Sequence, residues 1–149
     1  MSDIKTFEDL ECWRYARELT RRVYTCTVHA VEAKDYGFAD QMRRAAISVM
    51  NNIAEGFERD TNADTMKFLF IAKASSGEVR SMTYAGLDLG YFTAEQSEVI
   101  RELSIRCSKT TWGLIKCLQS KSNWRSISPP QHSVPSPVTF NRICHPCNL

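Results

Sequence analysis

Two rows of basic residues are the pattern in this chain best suited to chemistry, namely the binding of phosphate groups. They are Arg14, Arg17 and Arg21 in the first row, and Arg106, Lys109 and Lys116 in the second. The spacing places each row on one face of an α-helix, and spaced positive charges attract a nucleic-acid backbone and release its counterions. The alternative is an ordinary solvated helix face, and Glu18 with Arg22 at four residues' distance predicts that part of the first helix is self-paired.

A second candidate site is the cysteine pair Cys144 and Cys147, with His145 between them and His132 upstream. Zinc sites of this kind need four ligands at defined spacing, and the chain offers no second cysteine pair nearby. As a dithiol, the pair lacks the strand-to-helix setting that lowers a thiol pKa. We therefore expect neither a metal site nor a redox site here.

A polar line accompanies the apolar face of the segment 41–56. Its members, at helical spacing, are Arg44, Ser48, Asn52 and Glu55. Serine and asparagine are poor helix formers on a merely exposed face. We therefore predict a partly buried hydrogen-bonded network that fixes helix register or meets a neighbouring subunit, with a solvated face as the alternative.

Sequence motifs of the common enzyme classes are missing. The chain has no Gly-rich phosphate loop, no Gly-x-Ser-x-Gly, no cysteine with an evident histidine base and no pair of Glu-x-x-His motifs for a di-metal centre. The aromatic residues Trp13, Trp112, Phe68 and Phe70 are interpreted as core or interface packing. Phe68 and Phe70 face different sides of one helix, which indicates that one meets the core and the other a partner subunit.

Four long helices are predicted to position these residues. Apolar periodicity supports helices over about 9–30 and 38–55, and Gly56 is placed to end the second in a left-handed conformation. Capping boxes open the third helix at Thr61, with Asp64, and the fourth at Thr93, with Gln96. Gly90 ends the third helix, and the fourth pattern reaches about residue 117. Short connections between long helices favour an antiparallel bundle.

Composition supports one globular domain with an extension. Hydrophobic residues make up 43% of the 149 residues and charged residues 24%, which is enough for a buried core. Residues 1–102 carry 13 basic and 17 acidic residues, whereas 103–149 carry six basic residues and no acid. All five prolines follow residue 119, so a Pro/Ser-rich disordered tail is expected there.

The N-terminal residues show no secretory signal pattern, and no apolar run approaches the roughly 20 residues of a membrane span. We therefore expect a cytoplasmic protein that does not enter a membrane. The four cysteines within helical patterns are expected to be reduced thiols, since nothing indicates an oxidising compartment. They are Cys12, Cys26, Cys107 and Cys117.

The ordered phrases FEDLECWRYARELTRRVY, RRAAISVMNNIAEGFER, FLFIAKASSGEVRS and LDLGYFTAEQ resemble those of a known family over about residues 7–118. It is the family of four-helix-bundle proteins first identified within intervening sequences of bacterial 23S ribosomal RNA genes. By position, Arg43 and Arg44 match its paired arginines, residues 52–56 its NIAEG phrase, and Glu78 the acid of its third helix. Met50 and Asn51 replace the Pro-Ser that many members carry, which favours a straighter helix.

The resemblance implies a small bacterial bundle that assembles into a ring-shaped homopentamer with a central channel. A related branch, the accessory variability determinant of diversity-generating retroelements, binds nucleic acid and partners a reverse transcriptase. RNA, DNA and a reverse transcriptase or another protein are therefore the partners that the resemblance suggests for this chain.

We therefore predict an all-α protein, with an antiparallel up-down-up-down four-helix bundle over residues 1–119 and a disordered tail over 120–149. The predicted function is that of a non-enzymatic, cofactor-free, nucleic-acid-associated accessory protein whose two basic rows bind phosphates. One alternative is a scaffold that docks another protein without nucleic acid, and it predicts binding that survives high salt. The other is an enzyme using the tail cysteines or a cleft at a subunit boundary, which requires a catalytic residue that the sequence does not display.

Overall fold

The chain folds into helices around one core. The computed structural model describes residues 4–125, with side chains for residues 4–120. A short 3-10 turn, Phe7–Asp9, precedes five helices: α1 (Glu11–Cys26), α2 (Val28–Glu32), α3 (Tyr36–Phe57), α4 (Asn62–Asp88) and α5 (Ala94–Arg125). The short helix α2 continues α1 after an interruption, and the described range contains no strand. The all-α four-helix prediction is therefore confirmed.

Hydrogen bonds between neighbouring helices give their relative directions. They join Thr20 to Ala46 and Thr27 to Arg43, Ser48 to Ser75 and Gln41 to Glu78, and Ser76 to Ser104 and Thr83 to Ser97. In each set the residue numbers rise along one helix while they fall along the next. Neighbours therefore run antiparallel from α1 through α3 and α4 to α5, and contacts between α1 and α5 close the bundle.

Both predicted capping boxes begin helices, because each threonine hydroxyl satisfies an amide of the first turn. The hydroxyl of Thr61 accepts a hydrogen bond from the Asp64 amide at 3.1 Å. Thr93 and Gln96 exchange two bonds, with the Thr93 amide 2.9 Å from Gln96 Oε1 and the Gln96 amide 3.1 Å from Thr93 Oγ1. Between the two helices, Gly90 adopts a φ of +75°, which only glycine accepts readily.

The expected role of Gly56 was wrong. Helix α3 continues to Phe57, and Gly56 is buried within it rather than left-handed at its end. A Cβ added at Gly56 would lie 3.1 Å from the Cβ of Phe68 and 3.2 Å from the carbonyl oxygen of Thr65. The glycine therefore serves a close approach of α4 to α3, and the chain leaves α3 through Glu58 without a left-handed residue.

The first predicted helix, 9–30, is instead two helices separated at Thr27. The buried Thr27 hydroxyl donates to the carbonyl oxygen of Val23 at 2.8 Å and accepts from Nε of Arg43 at 2.8 Å.

After α2, a left-handed Lys34, with a φ of 62°, turns the chain toward α3. Asp35 begins α3 by accepting from the Phe38 amide, and its second oxygen accepts from the Tyr91 hydroxyl at 3.0 Å. The turns at this end of the bundle are thereby joined.

The core lies along the axis shared by the four long rods. Its largest members are fully buried because each helix turns one apolar stripe inward. They include Leu19, Val23, Met42, Val49, Ile53, Leu69, Val79, Ile100, Ile115 and Leu118. Each such side chain contributes roughly 1.5 to 3 kcal/mol by leaving water, so these contacts favour the fold strongly.

Helix α5 runs to Arg125 and so extends beyond the domain boundary predicted at residue 119. Residues 126–149, most of the predicted tail, lie outside the described residues. The candidate metal or redox residues His132, Cys144, His145 and Cys147 are among them.

Candidate nucleic-acid interface

Acidic neighbours partly neutralise the basic row on α1. The Arg21 guanidinium makes two hydrogen bonds to the Glu18 carboxylate, at 2.8 and 2.7 Å. Arg14 donates to the carbonyl oxygen of Glu8 at 2.8 Å and lies 3.8 Å from the Asp9 carboxylate. Arg17 differs, because its guanidinium lies over the Trp13 ring at 5.9 Å.

Glu18 is shared by two arginines. Hydrogen bonds from Arg21 and then Arg22 lower the pKa of Glu18 to about 2. The carboxylate is therefore ionised throughout the physiological range, and it offsets positive charge on this face of α1. Binding of phosphate by Arg21 or Arg22 would have to compete with an existing partner.

In the basic row on α5, one residue is paired with an acid and two are not. Arg106 donates to the Glu102 carboxylate, with its Nε at 3.1 Å, and its guanidinium lies 5.8 Å from the centre of the Tyr15 ring on α1. Lys109 and Lys116 are exposed and form no ion pair with any side chain among residues 4–120. These two lysines retain their full charge for a ligand.

An exposed aromatic pair includes Trp112, which lies between these two lysines on α5. Trp112 follows Lys109 by three residues and precedes Lys116 by four, so all three share one side of α5. The Phe70 ring on α4 lies 6.3 Å from the Trp112 ring at an interplanar angle of 55°. Trp112 is 38% exposed and Phe70 46% exposed. Trp112 is thus not a core residue, and Phe70 is the member of the Phe68 and Phe70 pair that faces outward.

A third lysine completes this cluster. The ammonium of Lys73 lies 5.7 Å from the centre of the Trp112 ring, and it has no ion pair within the described side chains. Neither residues 65–77 of α4 nor residues 103–125 of α5 include an aspartate or glutamate. We call Phe70, Lys73, Lys109, Trp112 and Lys116 the Trp112 surface. It presents two aromatic rings and three cations without a neutralising acid on either helix nearby.

The structure brings together two of the four residues in the predicted polar line. Asn52 donates to the carbonyl oxygen of Ser48 at 2.8 Å and to its hydroxyl at 3.0 Å. The Ser48 hydroxyl lies 2.9 Å from the hydroxyl of Ser75, a buried residue of α4. Arg44 pairs instead with Asp40, at 3.1 Å, and Glu55 with Arg59. A small polar cluster therefore ties α3 to α4, and its predicted ends are exposed ion pairs.

Residues matched to the family phrases have structural partners. Arg43 bonds to Thr27 and lies 4.9 Å from the centre of the Tyr24 ring, so it holds α3 against the first helix. Glu78 accepts a hydrogen bond from Gln41. The first contact holds α3 against the end of α1, and the second holds α3 against α4. Arg43 and Glu78 are therefore interpreted as structural residues.

The described residues do not form a metal site or carry an activated thiol. Within the described part, no group of three or more His, Cys, Asp and Glu side chains is arranged to hold a metal ion. Burial, with a smaller effect of nearby Cys12, raises the pKa of the Cys107 thiol to about 12, so this thiol is not a nucleophile near neutral pH. None of the described helices is both long enough and apolar enough to cross a membrane.

Comparison with known proteins agrees with the geometry. A family model described as 23S rRNA-intervening sequence protein matches residues 8–113. A crystal structure of a protein of unknown function from the S23 ribosomal protein family of Bacteroides thetaiotaomicron is similar, with a TM-score of 0.65 and 25% sequence identity. The alignment covers 70% of this chain and 98% of that protein. No curated protein matches. The matched range spans the bundle from its first turn into α5, and this chain therefore belongs to the 23S rRNA-intervening sequence protein family.

Proposed function

We propose that this protein is a non-enzymatic, cytoplasmic accessory protein that binds nucleic acid through phosphate contacts. The family description refers to 23S rRNA, and the similar Bacteroides protein is assigned to a ribosomal protein family. Both names favour a nucleic-acid setting. The partners proposed for the chain are RNA or DNA and, by the resemblance described above, a reverse transcriptase or another protein.

The observation that carries the proposal is the unneutralised charge of Lys73, Lys109 and Lys116. Surface lysines are ordinarily interspersed with acids, which reduces the field that a distant polyanion meets. Here the helix segments that carry the lysines, residues 65–77 and 103–125, include no aspartate or glutamate. A phosphate backbone would therefore meet positive charge without first displacing a protein carboxylate.

The six residues predicted from sequence divide into two groups under this proposal. Arg14, Arg21 and Arg106 already have carboxylate neighbours, so we expect them to contribute less to binding. Arg17, Lys109 and Lys116 have no ion pair among the described side chains, and we expect them to contribute more. Lys73, which the sequence did not single out, joins the second group.

We further propose that the protein is a homo-oligomer, and specifically a homopentamer. Several large apolar side chains are exposed outside the Trp112 surface, namely Tyr24, Val28, Tyr36, Ile71, Leu87 and Leu89. Contact with other copies would bury such residues. A ring would also repeat each basic surface five times and strengthen the field that attracts nucleic acid.

Fluorescence anisotropy tests the function. Labelled RNA and DNA are titrated with the 149-residue protein between about 50 and 200 mM salt, a range over which multiple phosphate contacts weaken binding greatly. We expect affinity that falls steeply with salt and that decreases when Lys73, Lys109 and Lys116 are changed together to glutamine. Absence of binding at the lowest salt would contradict the proposal.

The exposed apolar residues also favour a second candidate, a scaffold that docks another protein. Apolar contacts are little affected by salt, whereas phosphate contacts are weakened by it. A partner protein retained at high salt, together with no binding of either nucleic acid, would support the scaffold.

A further inference from the structure

We propose that the Trp112 surface is a binding site for single-stranded nucleic acid, in which an unpaired base stacks on Trp112 and Phe70. The inference rests on the proposed function and names its substrate class. In this site, Lys73, Lys109 and Lys116 hold the phosphates on either side of the stacked base. Proteins that bind single strands without sequence preference combine these same two elements, a positive groove and aromatic platforms.

The aromatic pair is placed for stacking. The Trp112 and Phe70 rings are close, at 6.3 Å between centres, and their tilt of 55° prevents either from covering the other face to face. Trp112 and Phe70 each keep more than a third of the residue surface exposed. The platform therefore already exists in the unbound protein, so little ordering has to accompany binding.

Lys73 adds a step to this mechanism. Its ammonium lies over the Trp112 ring, where the negative ring face attracts it, and no carboxylate holds it elsewhere among the described residues. An arriving base can take the place over the ring while the ammonium moves to the adjacent phosphate. The exchange replaces one contact of the ring with another, and no charge is left unpaired.

The spacing of the other lysines fits a strand that passes across α5. Lys109 and Lys116 are seven residues apart, which on a helix is about 10 Å along the axis. Trp112 lies between them on the same side. A strand whose base contacts Trp112 can therefore place phosphates near a lysine on each side of that base.

Single strands suit this surface better than duplexes do. In a duplex, each base has both faces covered by its neighbours, so aromatic side chains reach a base face only where the base is unpaired. A duplex could use the lysines alone. Protein interfaces favour aromatic residues such as Trp112 and Phe70, but they are depleted in lysine, so the three lysines of this surface favour a nucleic acid over a protein partner.

The test compares probes that separate stacking from charge. Anisotropy is measured with the full chain against single-stranded DNA and RNA of one length, the corresponding DNA duplex and an abasic strand with the same number of phosphates. The variants are Trp112→Ala, Trp112→Phe and the control Tyr84→Ala. Tyr84 is also exposed, at 53%, and has the Arg101 guanidinium 5.0 Å from its ring centre, but Arg101 is paired with Glu98. Tyr84 therefore resembles Trp112 in being exposed and in having a cation near its ring, but that cation is already paired with a carboxylate.

We expect tighter binding of single strands than of the duplex. Base stacking on an aromatic residue corresponds to a loss of roughly fivefold to a hundredfold in affinity when the residue becomes alanine. Trp112→Ala should show that loss for RNA and DNA single strands, and it should leave the abasic strand unaffected. Trp112→Phe should retain most of the affinity, and Tyr84→Ala all of it.

Each of the following results would overturn the inference. The first is equal binding of single strands and duplex. The second is a loss in Trp112→Ala that is the same for the abasic strand or for Tyr84→Ala. The third is a change in oligomer mass in Trp112→Ala, measured by light scattering, which would make Trp112 a contact between copies. Salt-sensitive binding that is unchanged in Trp112→Ala would contradict this site but not the proposed function. Absence of binding to every probe would contradict both.

Discussion

Two buried threonines have opposite hydrogen-bonding situations. The Thr27 hydroxyl donates to Val23 and accepts from Arg43, whereas Thr111 Oγ1, equally buried, has no hydrogen-bond partner among the described residues. A buried hydroxyl without a partner loses its hydrogen bonds to water and gains none in the protein, which lowers the stability of the fold. The Thr27 hydroxyl therefore stabilises the fold, whereas the Thr111 hydroxyl destabilises it.

Thr111→Val should leave the free energy of unfolding unchanged or raise it by up to about 1 kcal/mol, since valine keeps the shape and removes the polar atom. Thr27→Val is the matched control, and it should lower stability by about 1 to 3 kcal/mol because Arg43 loses its acceptor. Urea unfolding at one fixed protein concentration measures both values. Equal destabilisation by the two substitutions would show that Thr111 has a partner after all.

The shared carboxylate of Glu18 predicts a pH dependence. Because its pKa is lowered in the fold from 4.5 to about 2, its contribution to stability is present above about pH 4.5 and is lost as the pH falls toward 2. The side chain is 35% exposed, so solvent screening limits that contribution to at most about 1 kcal/mol.

Unfolding of Glu18→Gln and of the unchanged protein, followed from pH 6 to pH 2, tests this dependence. The stability difference between them should shrink steadily below about pH 4.5, since the protonated carboxyl and the amide are nearly alike. It should also be smaller at high salt. A difference that stays constant over this pH range would mean that the two arginine contacts do not stabilise the fold.

At the scale of the helix, α4 contains two glycines with different surroundings. A Cβ at Gly77 would meet nothing within 4 Å, whereas a Cβ at Gly86 would overlap the ring of Phe92. Glycine inside a helix costs roughly 0.5 to 1 kcal/mol relative to alanine unless a close contact requires it. Gly77 has no such requirement in the described structure, and Gly86 does.

Gly77→Ala should therefore raise the free energy of unfolding by about 0.5 to 1 kcal/mol. Gly86→Ala, on the same helix, should lower it by about 1 to 3 kcal/mol because the Phe92 ring must move. Thermal and urea unfolding of the two variants provide the comparison. Destabilisation by Gly77→Ala would indicate that the partly exposed surface of α4 at this residue is covered by another molecule.

Helix positions were predictable because periodicity and capping are local. The caps at Thr61 and Thr93 and the stop at Gly90 depend on residues within one turn. Gly56 was not predictable from the same logic, since a glycine serves a left-handed turn and a close helix contact equally well. The second use depends on Phe68 and Thr65, which meet Gly56 only after folding.

At the scale of the whole molecule, the charge available for binding nucleic acid is that of the basic residues without an ion-pair partner. Sequence spacing identified both basic rows, and it identified the contact between Glu18 and Arg22. It could not show that Lys73 on another helix would join Lys109 and Lys116. Trp112 was interpreted as core or interface packing, and its exposure and its contact with Lys73 depend on how α4 and α5 align.

The pairing of helices thus decides the candidate site. Phe70 and Lys73 reach Trp112 because α4 and α5 run antiparallel in one register, which the bond from the Ser76 hydroxyl to the Ser104 carbonyl oxygen helps to fix, at 2.6 Å. A single helix carries only part of the surface. Its charge and its aromatic rings come together only in the assembled bundle.

The salt dependence of nucleic-acid binding tests the central claim most directly, because its slope counts phosphate contacts. The affinity for single-stranded DNA is measured across a salt series for the unchanged protein and for two variants that lose equal charge, Lys109→Gln with Lys116→Gln, and Arg14→Gln with Arg21→Gln. We predict that the lysine pair reduces the slope by about 0.7 per lost contact, and that the acid-paired arginines change it much less. Equal changes in both variants, or a larger change in the arginine pair, would contradict the account.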